Sequence, residues 1–202
     1  MDKLIKKISI KNNLKTKTAG FTLLEVIASI SLFTIVIILV SNIYLVTQNA
    51  YNKNSNIAEL TQNARVSLDR ISRELRQSSS IITTLPETND DPNNPPTNQI
   101  FFQDGHDTDQ ITYLRYYLDG TNLMRENKAY YFNEEPSIYV TYNSLDQGGD
   151  APLETIIDNR VVGEYFTELY FWGANGLINI SLSLAKNQNT FTAKTSVFSR
   201  NR

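Results

Sequence analysis

The stretch Gly20-Phe21-Thr22-Leu23-Leu24-Glu25-Val26 marks the point where a basic leader ends and an apolar run begins. Residues 1–19 contain six lysines and one acid, Asp2, which gives this leader a net charge of +5. From Phe21 to Val40 every residue is apolar or small except Glu25. A carboxylate inside so apolar a segment costs free energy in a membrane, so its presence indicates a specific role for Glu25.

The apolar run is long enough to cross a membrane as one helix. At ~1.5 Å per residue its 20 residues span the ~30 Å hydrocarbon core. The run is longer than the ~7–15 apolar residues of a secretory signal, and no convincing small-x-small cleavage site follows it. The lysines favour a cytoplasmic N-terminus, which places the residues after Val40 outside the cytoplasm.

Glu25 is expected to take a cationic partner. An ionised acid at the centre of a membrane helix costs ~2.5–3.5 kcal/mol. Glu25 lies near the helix start, where the cost is smaller, but the cost rises if the helix is packed inside an assembly. A cut after Gly20 would create an α-ammonium group on Phe21, one helical turn from Glu25. In a bundle of similar helices, the ammonium of one subunit would then meet the Glu25 of its neighbour.

Together, the basic leader, Gly20, Phe21, Glu25 and the apolar helix resemble the class III signal of type IV pilins and type II secretion pseudopilins. The resemblance implies that a prepilin peptidase cleaves between Gly20 and Phe21 and that Phe21 is then N-methylated. It also implies that Glu25, the fifth residue of the processed chain, docks the subunit into a growing filament. The alternative is an uncleaved signal anchor with an accidental glutamate.

Composition predicts one small domain beyond the membrane segment. The chain has 202 residues, enough for a domain with a real core. Without residues 1–20 it keeps 13 basic and 20 acidic residues, a net charge of −7. General binding of nucleic acid is therefore disfavoured, because contacts to phosphate dominate that affinity. The chain has no cysteine, so no disulfide closes its C-terminal region.

Helical periodicity continues over residues 41–79. Apolar residues recur there at intervals of three and four, the pattern of an amphipathic helix: Ile57, Leu60, Ala64, Leu68, Ile71 and Leu75. The pairs Asp69–Arg73 and Arg70–Glu74 have the i,i+4 spacing of helical ion pairs. Because Asp69 and Glu74 interleave the four arginines between residues 65 and 76, we predict a solvated face there rather than a nucleic-acid surface.

Residues 80–98 are rich in proline and asparagine and predict a connecting surface loop. Residues 99–202 then alternate strand-like segments with turns such as Asp119-Gly120. The predicted strands are Gln99–Gln103, Gln110–Leu118, Leu123–Asn127, Ala129–Phe132, Ser137–Tyr142, Tyr165–Trp172, Leu177–Leu184 and Thr190–Phe198. Pro152–Val162 is expected to be a loop that enters a short strand.

The predicted fold class is α+β. One long N-terminal helix, transmembrane over residues 21–40 and amphipathic over residues 41–79, packs on a C-terminal antiparallel β-sheet domain. Polar residues alternate with Ile178, Ile180, Leu182 and Leu184, so that strand has one buried face. The apolar helix stripe is the natural surface for that face to cover. The arrangement is pilin-like.

The sequence gives no support for catalysis. His106 is the one histidine and lies in the turn-like segment Asp104–Asp109, with no nucleophile motif nearby. Asp104, Asp107 and Asp109 offer clustered oxygens of the kind that Ca²⁺ takes, but without the spacing of an EF-hand. A plain hairpin turn is favoured. We therefore predict no enzyme activity, no cofactor and no metal site.

Eleven tyrosines and Trp172 offer an aromatic surface for carbohydrate or for another subunit. Strand alternation within Tyr165–Trp172 predicts two faces, one with Tyr165, Leu169 and Phe171 and the other with Phe166, Tyr170 and Trp172. Aromatic side chains exposed on both faces would indicate partner contacts. Burial on both faces would indicate packing alone.

Looser similarity favours a minor component over a major subunit. The helix segment Gln62–Arg76, the hairpin Ile111–Arg125 and the closing Ser196–Asn201 resemble minor pilins and J-type pseudopilins. The predicted function is a structural minor pilin or pseudopilin that is assembled into, or primes, a type IV pilus or type II secretion pseudopilus. Its predicted partners are the prepilin peptidase, other pilin or pseudopilin subunits and the assembly platform protein.

The predicted location is the cytoplasmic membrane, crossed once with the N-terminus inside, and the filament after assembly. Two alternatives stay open. One is a pilus-tip adhesin or DNA-uptake pilin whose outer domain binds a ligand. The other is a signal-anchored extracytoplasmic domain outside any filament.

Overall fold

A computed structural model describes residues 20–106 and 110–199 of the chain. The basic leader up to residue 19, Asp107 and Asp109 of the acidic turn, and the closing Arg200-Asn201 lie outside the described residues. The chain divides into two units, Met1–Asn49 and Ala50–Arg202.

The first unit contains the beginning of helix α1, which runs from Leu23 to Gln77. Its large apolar side chains, from Phe21 to Val46, are all at least 44% exposed. Two hydroxyls in the apolar run donate to carbonyls one turn earlier, Ser31 to Ile27 at 2.9 Å and Thr34 to Ile30 at 2.8 Å. These polar groups are thus satisfied without water. The helix is long and apolar enough to cross a membrane.

In the second unit, α1 buries the predicted apolar stripe. Leu60, Ala64, Ile71 and Leu75 are at most 1% exposed, and Leu68 packs against the same core. The amphipathic prediction for this part of the helix is therefore confirmed. After the last helical residue, the Ser78 hydroxyl donates to the Leu75 carbonyl at 2.7 Å, which satisfies one of the carbonyls left free at a helix end.

Six antiparallel strands form the larger sheet. They are β1 (Ser80–Ile81), β2 (Ile100–Gln103), β3 (Thr112–Asp119), β4 (Asn122–Tyr131), β5 (Tyr139–Val140) and β6 (Leu153–Gly163). The order is β1-β2-β3-β4-β5, and β6 also pairs with β4. Between β3 and β4, Gly120 has φ +59°, a left-handed conformation that glycine adopts without strain. This confirms the predicted turn at Asp119-Gly120.

Three antiparallel strands form the smaller sheet, in the order β7-β8-β9. They are β7 (Phe166–Trp172), β8 (Leu177–Lys186) and β9 (Asn189–Phe198). Along β8 the alternation is as predicted, since Ile178, Ile180, Leu182 and Leu184 are buried. The connecting loop is tied to this sheet, because Thr97 and Phe171 exchange backbone hydrogen bonds of 3.0 and 2.8 Å.

Both sheets and the second-unit part of α1 share one hydrophobic core. The larger sheet contributes Ile100, Phe102, Leu114, Tyr116 and Leu123, and the smaller sheet contributes Phe166, Leu169, Phe171, Val197 and the apolar residues of β8. The α+β architecture, a long helix followed by antiparallel sheets, is therefore confirmed. The strands form two sheets, where the sequence predicted one.

A polar contact crosses this core between α1 and the larger sheet. Glu74 is 7% exposed; its Oε2 accepts from the Tyr116 hydroxyl at 2.7 Å, and its Oε1 lies 3.1 Å from Arg125 Nε. Burial raises the pKa of the Tyr116 hydroxyl well above its ordinary value. The prediction that Glu74 pairs with Arg70 on the polar surface is wrong, because Glu74 points inward.

Aromatic side chains cover the other face of the larger sheet. Phe101, Tyr113, Tyr130 and Tyr142 form a ring cluster in which the contacting pairs have centroids 5.4 to 6.4 Å apart. The Lys128 ammonium lies 4.9 Å from the Phe101 ring centroid, a cation–π contact. Part of the tyrosine content therefore serves packing within this domain.

The prediction that Pro152–Val162 is mostly loop is wrong, since β6 occupies Leu153–Gly163. Its pairing with β4 shifts register twice, near Asn127 and near Leu123. Each such bulge moves the side-chain alternation by one residue, which hides the period of two in the sequence. The strand also lacks a simple buried face, because Ile156 and Ile157 are both exposed.

Other boundaries also differ from prediction. The two strands predicted around residue 128 are one continuous strand, β4. Only Tyr139–Val140 of the strand predicted at Ser137–Tyr142 is formed, and β1 lies at the start of the predicted loop.

The prediction for the faces of β7 is wrong at Phe166. This ring is buried together with Leu169 and Phe171, while Tyr170 is exposed. A register shift between Phe166 and Glu168 inserts one residue into the strand and turns Phe166 inward. One face of β7 is therefore core, and the other presents Tyr170 to solvent.

Candidate functional site at the helix N-terminus

Helix α1 begins with a reciprocal capping arrangement between Thr22 and Glu25. Glu25 Oε2 accepts from the Thr22 backbone N–H at 2.8 Å and from the Thr22 hydroxyl at 3.0 Å. The Thr22 Oγ1 accepts from the Glu25 backbone N–H at 3.3 Å. This is a capping box, with Thr22 at the N-cap and Glu25 three residues later. It satisfies two N–H groups that a helix start leaves free.

Sequence reasoning missed Thr22, although its signal is readable. Thr22-Leu23-Leu24-Glu25 fits the pattern in which Ser or Thr precedes Glu by three residues, just before an apolar run. The prediction gave Glu25 a partner only in a neighbouring subunit, whereas the full-length chain supplies one itself. All three hydrogen bonds of the cap join Thr22 and Glu25, and the two that the carboxylate accepts both end on Oε2.

The second carboxylate oxygen is open to a partner. Among the described residues, Oε1 of Glu25 has no hydrogen-bond partner. An ionised carboxylate accepts several hydrogen bonds, so the cap does not exhaust Glu25. The capping box instead fixes the orientation of the carboxylate, which leaves Oε1 able to accept from a cationic group of another molecule.

Gly20 and Phe21 precede the helix and are accessible. Phe21 is 86% exposed, and a Cβ added at Gly20 would meet nothing within 4 Å. The fold itself therefore does not require glycine at this position. Gly20 and Phe21 lie immediately before α1, and Glu25 lies in its first turn, as their spacing in the sequence dictates.

Residues 15–41 match the family model of the prokaryotic N-terminal methylation motif. A comparison with curated proteins and one with solved structures give no significant match to the chain. The matched residues include the end of the leader, Gly20, Phe21, Glu25 and the apolar run. The motif supports a pilin- or pseudopilin-type signal, hence a prepilin-peptidase substrate that α1 anchors in the membrane.

The other candidate groups are His106 and the acidic turn Asp104–Asp109, of which Asp107 and Asp109 lie outside the described residues. His106 Nδ1 lies 3.1 Å from Asp104 Oδ1, and the same oxygen accepts from the His106 backbone N–H at 3.1 Å. This is a local turn contact. Within residues 20–106 and 110–199, no group of three His, Asp or Glu side chains is placed to hold a metal ion. The pilin-type motif itself suggests a structural, non-enzymatic protein.

The cap can be tested with Thr22→Val, which removes the hydroxyl and keeps the branched shape. Loss of an N-cap side chain costs about 1 kcal/mol, or about fivefold in the local opening equilibrium. We expect amide hydrogen exchange in residues 23–26 of the full-length protein in detergent to accelerate by about that factor. Thr34→Val is the control, because Thr34 bonds only to the Ile30 carbonyl inside the helix. Equal exchange in wild type and Thr22→Val would contradict the cap.

Proposed function

We propose that this chain is a structural minor pilin or pseudopilin. Prepilin peptidase cleaves it between Gly20 and Phe21, Phe21 is N-methylated, and the subunit is assembled into, or primes, a type IV pilus or type II secretion pseudopilus. The observation that carries the proposal is the methylation motif at residues 15–41, which coincides with an accessible helix start where Glu25 is capped yet keeps one oxygen open.

The exposed first part of α1 supports insertion before assembly. So many uncovered apolar side chains are not stable in water, and a helix of this length spans the hydrocarbon core. We propose that residues 1–20 orient the precursor and are removed, and that residues 21–40 hold the subunit in the cytoplasmic membrane. Neighbouring helices replace the lipid once the assembly platform protein passes the subunit into the filament.

Glu25 is the proposed assembly residue. Cleavage leaves an α-ammonium on Phe21 in each subunit, and a neighbour's ammonium is the cation best suited to the open Oε1. A buried pair of this kind holds only when both charges are present, because either one alone is uncompensated in a low-dielectric environment. The contact would therefore select processed subunits and set the axial register between them.

The deciding experiment is intact-mass and N-terminal peptide mass spectrometry of the protein extracted from membranes of its native host. We expect a chain that starts at Phe21 and carries one additional methyl group. A chain that retains Met1 to Gly20 in a host with active prepilin peptidase would overturn the proposal. It would favour a signal-anchored domain outside any filament.

Gly20→Val tests the cleavage site directly. Because a Cβ at Gly20 meets no neighbouring atom, the substitution leaves the fold unchanged and acts on recognition by the peptidase. A displaced scissile bond slows an enzymatic step by about a hundredfold, so we expect the precursor to accumulate on immunoblots. Ala28→Val, inside the apolar helix, is the matched control and should be processed normally. Normal processing of Gly20→Val would refute the assigned site.

A further inference from the structure

The solvent-facing side of α1 in the second unit carries a concentrated positive charge. We define the arginine face as Arg65, Val66, Arg70, Arg73 and Arg76. Among the described residues, none of these arginines forms an ion pair. Val66, which lies between them, is 49% exposed.

The arginine face is more basic than the sequence predicts. Glu74, expected to neutralise it, is instead buried against Arg125 of the larger sheet. Asp69 is left as its one interleaved acid. Five other cations of the domain are paired with carboxylates of the same chain: Arg115, Arg125, Lys128, Arg160 and Lys186. Of the two described lysines of this unit that form no ion pair, Lys53 lies outside the face and Lys194 lines a pocket with Arg65 and Arg76. Most of the unpaired positive charge of the described domain is therefore on or beside this face.

A second surface of the same unit has the complementary character. We define the acidic cleft as the pocket of about 660 Å³ near the end of β4, between the segments 132–140 and 145–148. Its apolar lining is formed by Phe132, Ile138, Val140 and Leu145, and its acidic lining by Glu134, Glu135 and Asp146.

The apolar residues of the acidic cleft are uncovered in the single chain. Ile138 is 54% exposed and Leu145 is 66% exposed. Within the described part of the chain, Glu134, Glu135 and Asp146 take part in no ion pair. An apolar pocket with unpaired carboxylates suits a partner that offers an apolar side chain flanked by cations.

We infer that the acidic cleft of one subunit receives the arginine face of a second copy of this chain. Val66 meets Ile138 and Leu145, and the arginines on either side of it meet Glu134, Glu135 and Asp146. From residue 65 to residue 76 the helix rises about 16 Å. A cleft of this volume is in the range that accommodates a few side chains of a docked helix.

The two surfaces lie on different elements, so the contact is heterologous rather than two-fold symmetric. A head-to-tail contact leaves one arginine face and one acidic cleft free at the ends of any assembly, and it therefore repeats. This is the geometry that a filament subunit requires. The inference rests on the proposed function in one respect, since it requires that more than one copy of this minor subunit enters the same assembly.

The chain has no cysteine, which makes disulfide crosslinking a clean test. A full-length copy with Val66→Cys and a tagged full-length copy with Leu145→Cys are expressed together in the native host and mildly oxidised. A disulfide forms only when the two Cα atoms approach to about 7 Å or less. We expect a linked dimer from the mixed pair and none from either variant alone. Val66→Cys with Phe198→Cys, an exposed site on β9, is the negative control.

Charge reversal tests whether the stated charges hold the contact. Arg65→Glu with Arg73→Glu in the Val66→Cys copy should lower the crosslinked fraction by about tenfold, because like charges then face each other. Glu134→Arg with Glu135→Arg in the other copy should restore it. Lys53→Glu is the matched control, since Lys53 is exposed on the same helix outside the arginine face, and it should leave the yield unchanged.

Processing at Phe21 is read by mass spectrometry in the same samples, which separates the two proposals. A processed, methylated chain without the crosslink between residues 66 and 145 overturns the docking contact alone. A crosslink in an unprocessed chain supports the contact and overturns the proposed function. Absence of the crosslink, together with retention of the extracted protein on double-stranded DNA that Arg65→Glu/Arg73→Glu abolishes, would make the arginine face a nucleic-acid surface and overturn the inference.

Discussion

Glu25→Ala should block incorporation into filaments while leaving membrane insertion and cleavage after Gly20 largely intact. The proposed scissile bond between Gly20 and Phe21 lies before α1 and does not depend on the Glu25 side chain for its exposure. In the proposed helix bundle, however, the substitution leaves the neighbour's ammonium on Phe21 without its carboxylate. Removing one partner of a buried ion pair costs about 3–5 kcal/mol, which corresponds to a loss of incorporation on the order of a hundredfold or more.

The measurement is the fraction of protein in sheared filaments relative to the membrane fraction, by immunoblot. Two further variants separate charge from capping. Glu25→Gln keeps a hydrogen-bond acceptor for Thr22 but loses the charge, and it should also fail to assemble. Thr22→Val loses the cap but keeps the charge, and it should retain most of the incorporation. Filaments that contain Glu25→Ala at the wild-type level would show that the carboxylate has no role in assembly.

Local sequence determines the features that were predicted correctly. The amphipathic stripe of α1 and the alternation along β8 each depend on one uninterrupted period and on burial against a single surface. The turn at Gly120 depends on one glycine with a positive φ. The start of α1 was readable as well, since Thr22 and Glu25 are only three residues apart, yet the cap was missed because Glu25 was considered only as a contact between subunits.

Contacts between distant residues account for what could not be predicted. Two bulges hide the period of β6, and a third in β7 turns Phe166 into the core. Such insertions are properties of the pairing between strands, so one strand alone does not reveal them. The inward direction of Glu74 likewise depends on Arg125, which lies 51 residues later in the chain.

The proposed docking surfaces also combine features that local sequence predicts with features that depend on distant contacts. The acidic cleft combines side chains of two segments that come together only in the folded domain, so the sequence shows paired acids but no pocket. The arginines of α1 are visible in the sequence. The sequence also predicts that Glu74 lies on the same exposed face, and this makes the predicted charge of that face too low. A helical wheel places residues around the helix axis, but it does not show which of them the neighbouring sheets cover.

Replacing Glu74 is expected to be the most destabilising single substitution that we predict for the domain. In Glu74→Ala, the largely buried Arg125 loses its close carboxylate and keeps only the longer contact to Asp158 at 3.8 Å, and the Tyr116 hydroxyl loses its acceptor at 2.7 Å. Breaking a buried pair in this way costs about 3–5 kcal/mol of unfolding free energy. Urea unfolding of the full-length protein in detergent measures this cost, with the fluorescence of Trp172, the one tryptophan, as the reporter for the domain.

Two comparisons make that result specific. Asp69→Ala removes an exposed carboxylate from the same helix and should change the unfolding free energy by no more than about 0.5 kcal/mol. The triple variant Glu74→Met/Arg125→Met/Tyr116→Phe replaces the whole polar contact with apolar groups of similar size. It should recover most of the lost stability, because no buried charge or hydroxyl of this contact is left unpaired. If Glu74→Ala were no more harmful than Asp69→Ala, the contact between α1 and β4 would not stabilise the domain. If the triple variant were as unstable as Glu74→Ala, the loss would come from packing around residue 74 rather than from an uncompensated charge.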